Sequence, residues 1–326
     1  MASPSFLVTT ALPAPGMDIL AAAGSVTLVG GPLPADELAA ACASGLYDVL
    51  VSQLGDGLDA GLLERAQLKG VSNYAVGYNN IDVDAATRAG IMVANTPDVL
   101  TDATADIALL LMLGTARRVV EAEHYMRSGQ YTGWHPELLL GADVSGRTLG
   151  LAGFGRIARA TARRALGFGM EVLFSPRPPG DRVVSAEELG EFAGKVRQVE
   201  WTELLAGSDF LSLHVPLAAS THHLIDAAAL RAMKPSAILV NTARGPIVDE
   251  DALVHALQTG EIAGAGLDVY ENEPAMAAGL AGLPNAMLLP HVGSATVSVR
   301  SKMARLCAEN AVAMALGRRP AHLVNP

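Results

Sequence analysis

The stretch LGLAGFGRIARATARRA, residues 149–165, decides how the rest of the chain is read. An apolar run, Leu149 to Ala152, ends at Gly153-Phe154-Gly155-Arg156-Ile157-Ala158, and a segment with helical spacing follows. Gly153 permits a tight turn, Gly155 lets the backbone approach a pyrophosphate, and Ala158 is small enough for close packing of helix on strand. A second strand pattern, MEVLFS at 170–175, lies where such a unit requires it. With 33 glycines in the chain, a strand-to-helix turn that binds nothing is the alternative. The flanking strand and helix favour a dinucleotide site formed by Gly153, Phe154, Gly155, Arg156 and Ile157.

The next stretch, EVLFSPRPPG at 171–180, bears on which dinucleotide. A ribose-reading carboxylate belongs about twenty residues past the glycines, near position 176. Pro176 cannot supply it. A carboxylate would bond the ribose hydroxyls and repel a 2′-phosphate, whereas a guanidinium favours that phosphate through charge-assisted hydrogen bonds. Ser175 and Arg177 therefore predict NADP(H) over NAD(H). The alternative is that Arg177 stacks on adenine or faces solvent while NAD(H) still binds.

Working outward, short apolar runs alternate with helical patterns along the whole chain. FLVTTA, VTLVG, YDVLVSQL, KGVSNYAV and GIMVAN form one series, and the runs at 147–155, 170–175, 195–199, 209–215, 236–243, 264–270 and 285–292 form another. The alternation predicts an α/β protein with two Rossmann-like, doubly wound parallel-sheet domains and an active-site cleft between them. The expected boundaries are a substrate-binding domain of residues 1–99 plus 292–326 and a dinucleotide-binding domain of 100–291. Between the series lies TDATADIALLLMLGTARRVVEAEHYMRSG, which reads as one connecting helix with Thr101 as N-cap and Gly129 as stop. A final helix is expected from about Thr296 to Gly317.

The 326 residues suit two domains. Half are apolar and 17% are charged, which describes a chain able to bury a large core and not a disordered one. A formal charge of −10 with no basic run argues against nucleic acid as a partner. The start, MASPSFLVTTALPAPG, has no positive segment before its short apolar run, and no segment reaches eighteen apolar residues, so neither export nor membrane insertion is expected. Cys42 and Cys307 have no metal-ligand spacing and are expected as buried free thiols in a cytoplasmic protein. No metal is expected.

Three further runs place reactive side chains just after apolar strands, where ligands bind in an open α/β sheet. NTARGPIVDEDAL carries Arg244, AGAGLDVYENEP carries Asp268 and Glu273, and LLPHVGSAT carries His291. Singly, each has a bland reading: a surface ion pair, a turn residue before Pro274, a satisfied histidine. Together they supply what reduction of a 2-keto acid needs. That is a cation for carboxylate and carbonyl, an acid for the developing alkoxide, and a carboxylate to keep that acid charged. An adjacent Glu273 is expected to raise the pKa of His291 by favouring its charged form.

These motifs, with SNYAVGYNNIDVDAATRAGIMVANTPDVLTDATAD, LGLAGFGRIA, HVPL and LPHVGSAT, cover nearly the whole chain in order. The sequence resembles the D-2-hydroxyacid dehydrogenase family, and especially its glyoxylate/hydroxypyruvate reductase branch. The resemblance implies Arg244, Glu273 and His291 as the catalytic trio, with Arg244 gripping substrate and His291 exchanging the proton. It implies that the amides of Val76 and Gly77 bind the substrate carboxylate and that Asp268 orients the nicotinamide carboxamide. Thr104, His214, Val215, Pro216, Thr221, Thr242, Ala243 and Gly293, together with Arg244 and His291, would line the cofactor groove. GWHPELLLGADVSG is similar to a segment of the reductase branch in which a tryptophan approaches the active site across a dimer interface. Trp134 takes that place here, with simple core or interface packing as the alternative, and a homodimer is expected.

The expected activity is reduction of glyoxylate, hydroxypyruvate or a similar small 2-keto acid to the D-2-hydroxy acid, with NADP(H) preferred and NAD(H) possible. A dinucleotide-sensing interaction protein of the same fold is the alternative from another class, and an NAD-using D-2-hydroxyacid dehydrogenase the alternative within it. Glu273 stands where formate-dehydrogenase-like relatives carry glutamine, and no regulatory domain fits after Pro326 for a phosphoglycerate enzyme of the regulated kind.

Overall fold

The computed structural model describes residues 3–178, 180 and 182–326. The chain divides into two compact units: residues up to Leu100 joined by Ala295–Pro326, and Thr101–Ser294. Each is an α/β unit with an all-parallel sheet.

In the first unit the strands are β1 (Ser5–Val8), β2 (Ser25–Leu28), β3 (Val49–Ser52), β4 (Gly70–Asn73) and β5 (Met92–Ala94), in the order β2-β1-β3-β4-β5. Alternating side chains take opposite faces of the sheet. Phe6, Val8, Val49 and Val51 pack with Met303, Ala304, Cys307, Ala308 and Met314 of the helix Val297–Ala315. Leu7, Leu50, Val71 and Val93 face Leu38, Leu58, Leu62 and Leu63 on the other side. The side chain of Thr296 caps the long helix by accepting from Val299 N, and Gly317 follows its end with a φ of 69°.

The last residues continue into the same sheet. Val324 N donates to Val93 O at 2.7 Å, Asn95 N donates to His322 O at 3.2 Å, and Val93 N donates to Asn325 Oδ1 at 2.8 Å. The outer edge of β5 is thereby covered, which is how sheets avoid presenting unpaired amides to other chains.

The second unit holds β6 (Thr148–Ala152), β7 (Glu171–Ser175), β8 (Arg197–Gln198), β9 (Phe210–Leu213), β10 (Ile238–Asn241), β11 (Gly264–Leu267) and β12 (Ala286–Leu288), in the order β12-β11-β10-β9-β6-β7-β8. The order reverses between β6 and β9, which makes the carboxyl end of β6 the topological switch point where ligands bind. Leu149, Leu151, Phe174 and Val240 pack one face against the helices Thr101–Ala116 and Arg156–Gly167. Leu211, Leu213, Leu239 and Leu267 pack the other against Leu204, Leu230, Leu253 and Leu257.

One sequence expectation changes. The segment expected as one helix from Thr101 to Gly129 is two, Thr101–Ala116 and Val119–Arg127. Arg118 between them has a left-handed φ of 53°, and Ala142 N takes the Ala116 carbonyl that a continuing helix would use. The first unit resumes at Ala295. Val292 and Gly293 stay with the second unit because both amides are bonded to Asp268.

Among the described residues no helix is long and apolar enough to cross a membrane. Cys42 and Cys307 are free and buried, and burial pushes both thiols up to about 12.

Candidate active site

The carboxyl ends of β6, β9, β10, β11 and β12 carry the sequence-expected groups of the second unit. After β6, Gly153 turns the chain with φ +94°, and a Cβ there would meet His214 O at 2.8 Å, so glycine is required twice over. The helix Arg156–Gly167 starts immediately after Gly155. Its first-turn amides face the switch point and suit an anion. Phe154 stacks on Phe174 at 4.0 Å, with the Arg159 guanidinium 4.6 Å from its ring centre, which fixes the loop from below. Ala158 is fully buried against the sheet.

After β9, Ser212 Oγ lies 2.9 Å from His214 Nε2, and desolvation pushes the His214 imidazole down to about 4, leaving it neutral at physiological pH. Val215 is buried, and Pro216 is exposed at the start of a loop that Thr221 closes, its hydroxyl donating to Pro216 O at 2.7 Å and accepting from Ala218 N at 2.9 Å. After β10, the Asn241 side chain donates to Arg244 O and accepts from Ala243 N, so one buried amide shapes the turn that carries Arg244. Burial presses the half-buried Arg244 guanidinium below its usual range and the Glu273 charge partly offsets this. A guanidinium remains charged throughout.

Glu273 and His291 form the centre of the group. His291 Nδ1 is 2.9 Å from Glu273 Oε2, and Tyr270 N donates to Glu273 Oε1 at 3.0 Å. Burial works against ionisation of Glu273. The hydrogen bonds from His291 and Tyr270 N, with the charges of His291 and Arg244, outweigh it and hold the carboxyl below its usual range. A carboxylate on Nδ1 fixes a proton there and leaves Nε2 for a substrate. The His291 backbone is left-handed, φ 54°. What holds this strained position is Asp268, fully buried, whose two oxygens accept Val292 N and Gly293 N at 2.7 Å each. Burial raises the Asp268 pKa against the pull of those two amides. Thr104 Oγ1 donates to Gly293 O at 3.3 Å from the neighbouring helix.

Two features of the cradle fit a dinucleotide. A Cβ at Gly155 would meet no protein atom within 4 Å, so packing within the chain does not demand glycine there, whereas a backbone approach to a ligand does. Thr242 Oγ1 is buried without a hydrogen-bond partner among the described residues, as expected of a hydroxyl awaiting a polar ligand. At the end of β7, Ser175 is buried, Pro176 is half-buried and Arg177 is exposed.

Residues 109–293 match the model of the D-isomer specific 2-hydroxyacid dehydrogenase, NAD binding domain. The chain belongs to the D-isomer specific 2-hydroxyacid dehydrogenase family. It is 50% identical over 283 residues to a glyoxylate reductase of Thermococcus litoralis, covering 85% of this chain and 83% of that protein. It superposes on a glyoxylate reductase from Paecilomyes thermophila with a TM-score of 0.87 at 34% identity, covering 99% of each chain. It also superposes on an NADPH-dependent glyoxylate/hydroxypyruvate reductase from Sinorhizobium meliloti, in complex with NADP and malonate, with a TM-score of 0.85 at 35% identity, covering 99% of this chain and 97% of that one. As a member of this family the protein is an oxidoreductase whose second unit binds a nicotinamide dinucleotide.

In this dehydrogenase the second unit thus brings Arg244, Glu273, His291 and Asp268 to neighbouring strand ends. Val76 and Gly77 lie in the first unit after β4. Their carbonyls are held by Asn95 Nδ2 at 2.8 Å and Asn73 Nδ2 at 3.0 Å, and neither amide N–H has an acceptor among the described residues. Trp134 is 81% exposed, which removes core packing as its explanation. Sequence reasoning missed three supports of the candidate site: the Asn241 amide under Arg244, the Asp268 clamp behind His291, and Glu250, whose carboxylate accepts Glu271 N and Ala277 N. Glu250 was visible only as part of an acidic helix start.

Proposed function

We propose that the enzyme reduces small 2-keto acids, glyoxylate and hydroxypyruvate in particular, to D-2-hydroxy acids, with NADPH preferred to NADH. The observation that carries this is the His291–Glu273 pair at 2.9 Å with its second imidazole nitrogen uncommitted, beside a guanidinium that shares Glu273's field. Relatives of about half identity are glyoxylate reductases, which supports the substrate class.

A bound reduced nicotinamide supplies the hydride. The chain supplies the rest. The Arg244 guanidinium binds the substrate and turns the keto oxygen toward His291. Arg244 also draws electron density from that oxygen, stabilising the charge that develops on it. His291 Nε2 then gives its proton to the oxygen, completing the hydroxyl, and the neutral imidazole regains a proton from solvent, to which the half-buried ring is open. Glu273 holds the ring in one orientation and balances its charge. Asp268 keeps the loop behind His291 in place.

Preference for NADPH rests on Ser175, Pro176 and Arg177: no carboxylate stands where one would repel a 2′-phosphate, and an exposed guanidinium is within one residue of it. Trp134, exposed with Leu140 and Met126 near it in sequence, fits a homodimer in which a partner covers it. Two buried free thiols fit the cytoplasm. The test follows nicotinamide absorbance with glyoxylate, hydroxypyruvate and pyruvate against NADPH and NADH in parallel. Faster oxidation of NADPH with glyoxylate or hydroxypyruvate is expected. Oxidation of neither cofactor, with both bound, would overturn the proposal.

A further inference from the structure

The loop that presents Glu273 has no apolar anchor of its own. Residues 272–276 are all exposed, and within the loop one backbone bond, Ala275 N to Asn272 O at 2.9 Å, closes the tip. One side chain grips both of its feet. Glu250, 3% exposed, accepts Glu271 N at 2.6 Å on one carboxylate oxygen and Ala277 N at 2.8 Å on the other. Glu250 N returns a bond to Glu271 Oε2 at 3.2 Å, and Glu271 Oε1 lies 2.7 Å from His223 Nε2. Glu250 itself is anchored by its helix. It opens the helix Glu250–Thr259, which Asp249 caps through Ala252 N and which buries Leu253, Val254 and Leu257 in the unit's core.

A favourable helix dipole needs only an exposed acid in the first turn, so it does not account for a carboxylate buried at this position, which loses hydration. Bridging two amides six residues apart does account for it. The span between those amides contains Glu273 and no buried side chain. Resting on the reading that Glu273 and His291 perform the proton transfer, we propose that Glu250 is a positioning residue, fixing the distance from the Glu273 carboxylate to His291 by clamping both ends of the loop. It touches neither substrate nor cofactor.

Glu250→Gln retains the shape but turns an amino group toward one of the two amides, freeing one foot. Turnover is expected to fall roughly ten- to hundredfold, the cost of a catalytic group displaced by about an ångström. KM for the keto acid and the Kd for NADPH should stay at wild-type values, because the carboxylate-binding groups and the glycine loop are untouched. The deciding measurement is the double variant. If Glu250 acts through Glu273, then Glu250→Gln added to Glu273→Gln slows the enzyme no further. Losses that multiply, or full turnover in a folded Glu250→Gln protein, would overturn the inference. Glu250→Asp, which keeps charge and both acceptors but is one methylene shorter, repeats the cycle should the glutamine variant not fold. A Glu273→Gln enzyme as fast as wild type would instead remove the proposed function, and this inference with it.

Discussion

Gly245 offers a direct test of how closely the turns carrying Arg244 and Glu273 must approach. It follows Arg244, and a Cβ built on it would stand 1.8 Å from both the carbonyl carbon and the oxygen of Tyr270, and 2.4 Å from Glu271 N. All three are main-chain atoms and cannot rotate aside. Ordinary contact begins near 3.4 Å, so the two turns must part by about 1.6 Å to admit a methyl group. One turn carries Arg244 and the other Glu273, so the displacement falls directly between guanidinium and carboxylate. A misplacement of about 1 Å costs on the order of a hundredfold in rate, so Gly245→Ala should lose at least that much turnover, about 2.7 kcal/mol of barrier. Overpacking should also lower stability by about 1–3 kcal/mol. Steady-state reduction of glyoxylate, NADPH titration by fluorescence and a thermal melt separate these effects. A folded Gly245→Ala enzyme with near-normal turnover would refute the idea that this approach is set by the glycine.

Replacing His291 with alanine should cut turnover by about two to four orders of magnitude while NADPH binding, measured by fluorescence, stays near normal. Arg177→Ala should weaken NADPH far more than NADH in paired titrations, and equal weakening would remove the 2′-phosphate contact. The depressed Glu273 carboxyl sets a direction with pH: its folded value lies below the unfolded one, so its contribution to stability is present above the ordinary carboxylate range and disappears as pH falls through the folded value. Urea titrations on the acid side should show this contribution shrinking, and a Glu273→Gln protein should show a flatter dependence there. With both thiols buried and pushed up to about 12, a thiol reagent should label neither Cys42 nor Cys307 in the native protein and both after denaturation.

Most of the sheet strands were legible because they are short apolar runs bounded by turn residues, although β8 is only Arg197–Gln198, and the glycine loop was legible because its glycines sit between a strand and a helix. The break at Arg118 was not, since helical spacing continues through it. Its cause is a bond from Ala142 to the Ala116 carbonyl, made by a distant part of the chain. Arg244, Glu273 and His291 could be picked out as strand-end residues of suitable chemistry, but their supports could not. Asp268 looks the same in sequence whether it meets a cofactor or clamps Val292 and Gly293, and the amides that Glu250 grips lie 21 and 27 residues further along. Partners of that kind depend on tertiary approach, which no local pattern encodes.

The discontinuous first unit has a consequence during synthesis. Its five strands leave the ribosome within the first hundred residues, yet the helix that covers Phe6, Val8, Val49 and Val51, and the tail that seals β5, come only after Ala295. Roughly two hundred residues intervene, which at ~5–20 residues per second amounts to ~10–40 s. For that interval the nascent sheet has one apolar face covered only in part, by the helix Gly16–Ala23, and an open strand edge. Heterologous yield should accordingly depend on holdase chaperones and slower growth temperature more than on the equilibrium stability of the finished enzyme.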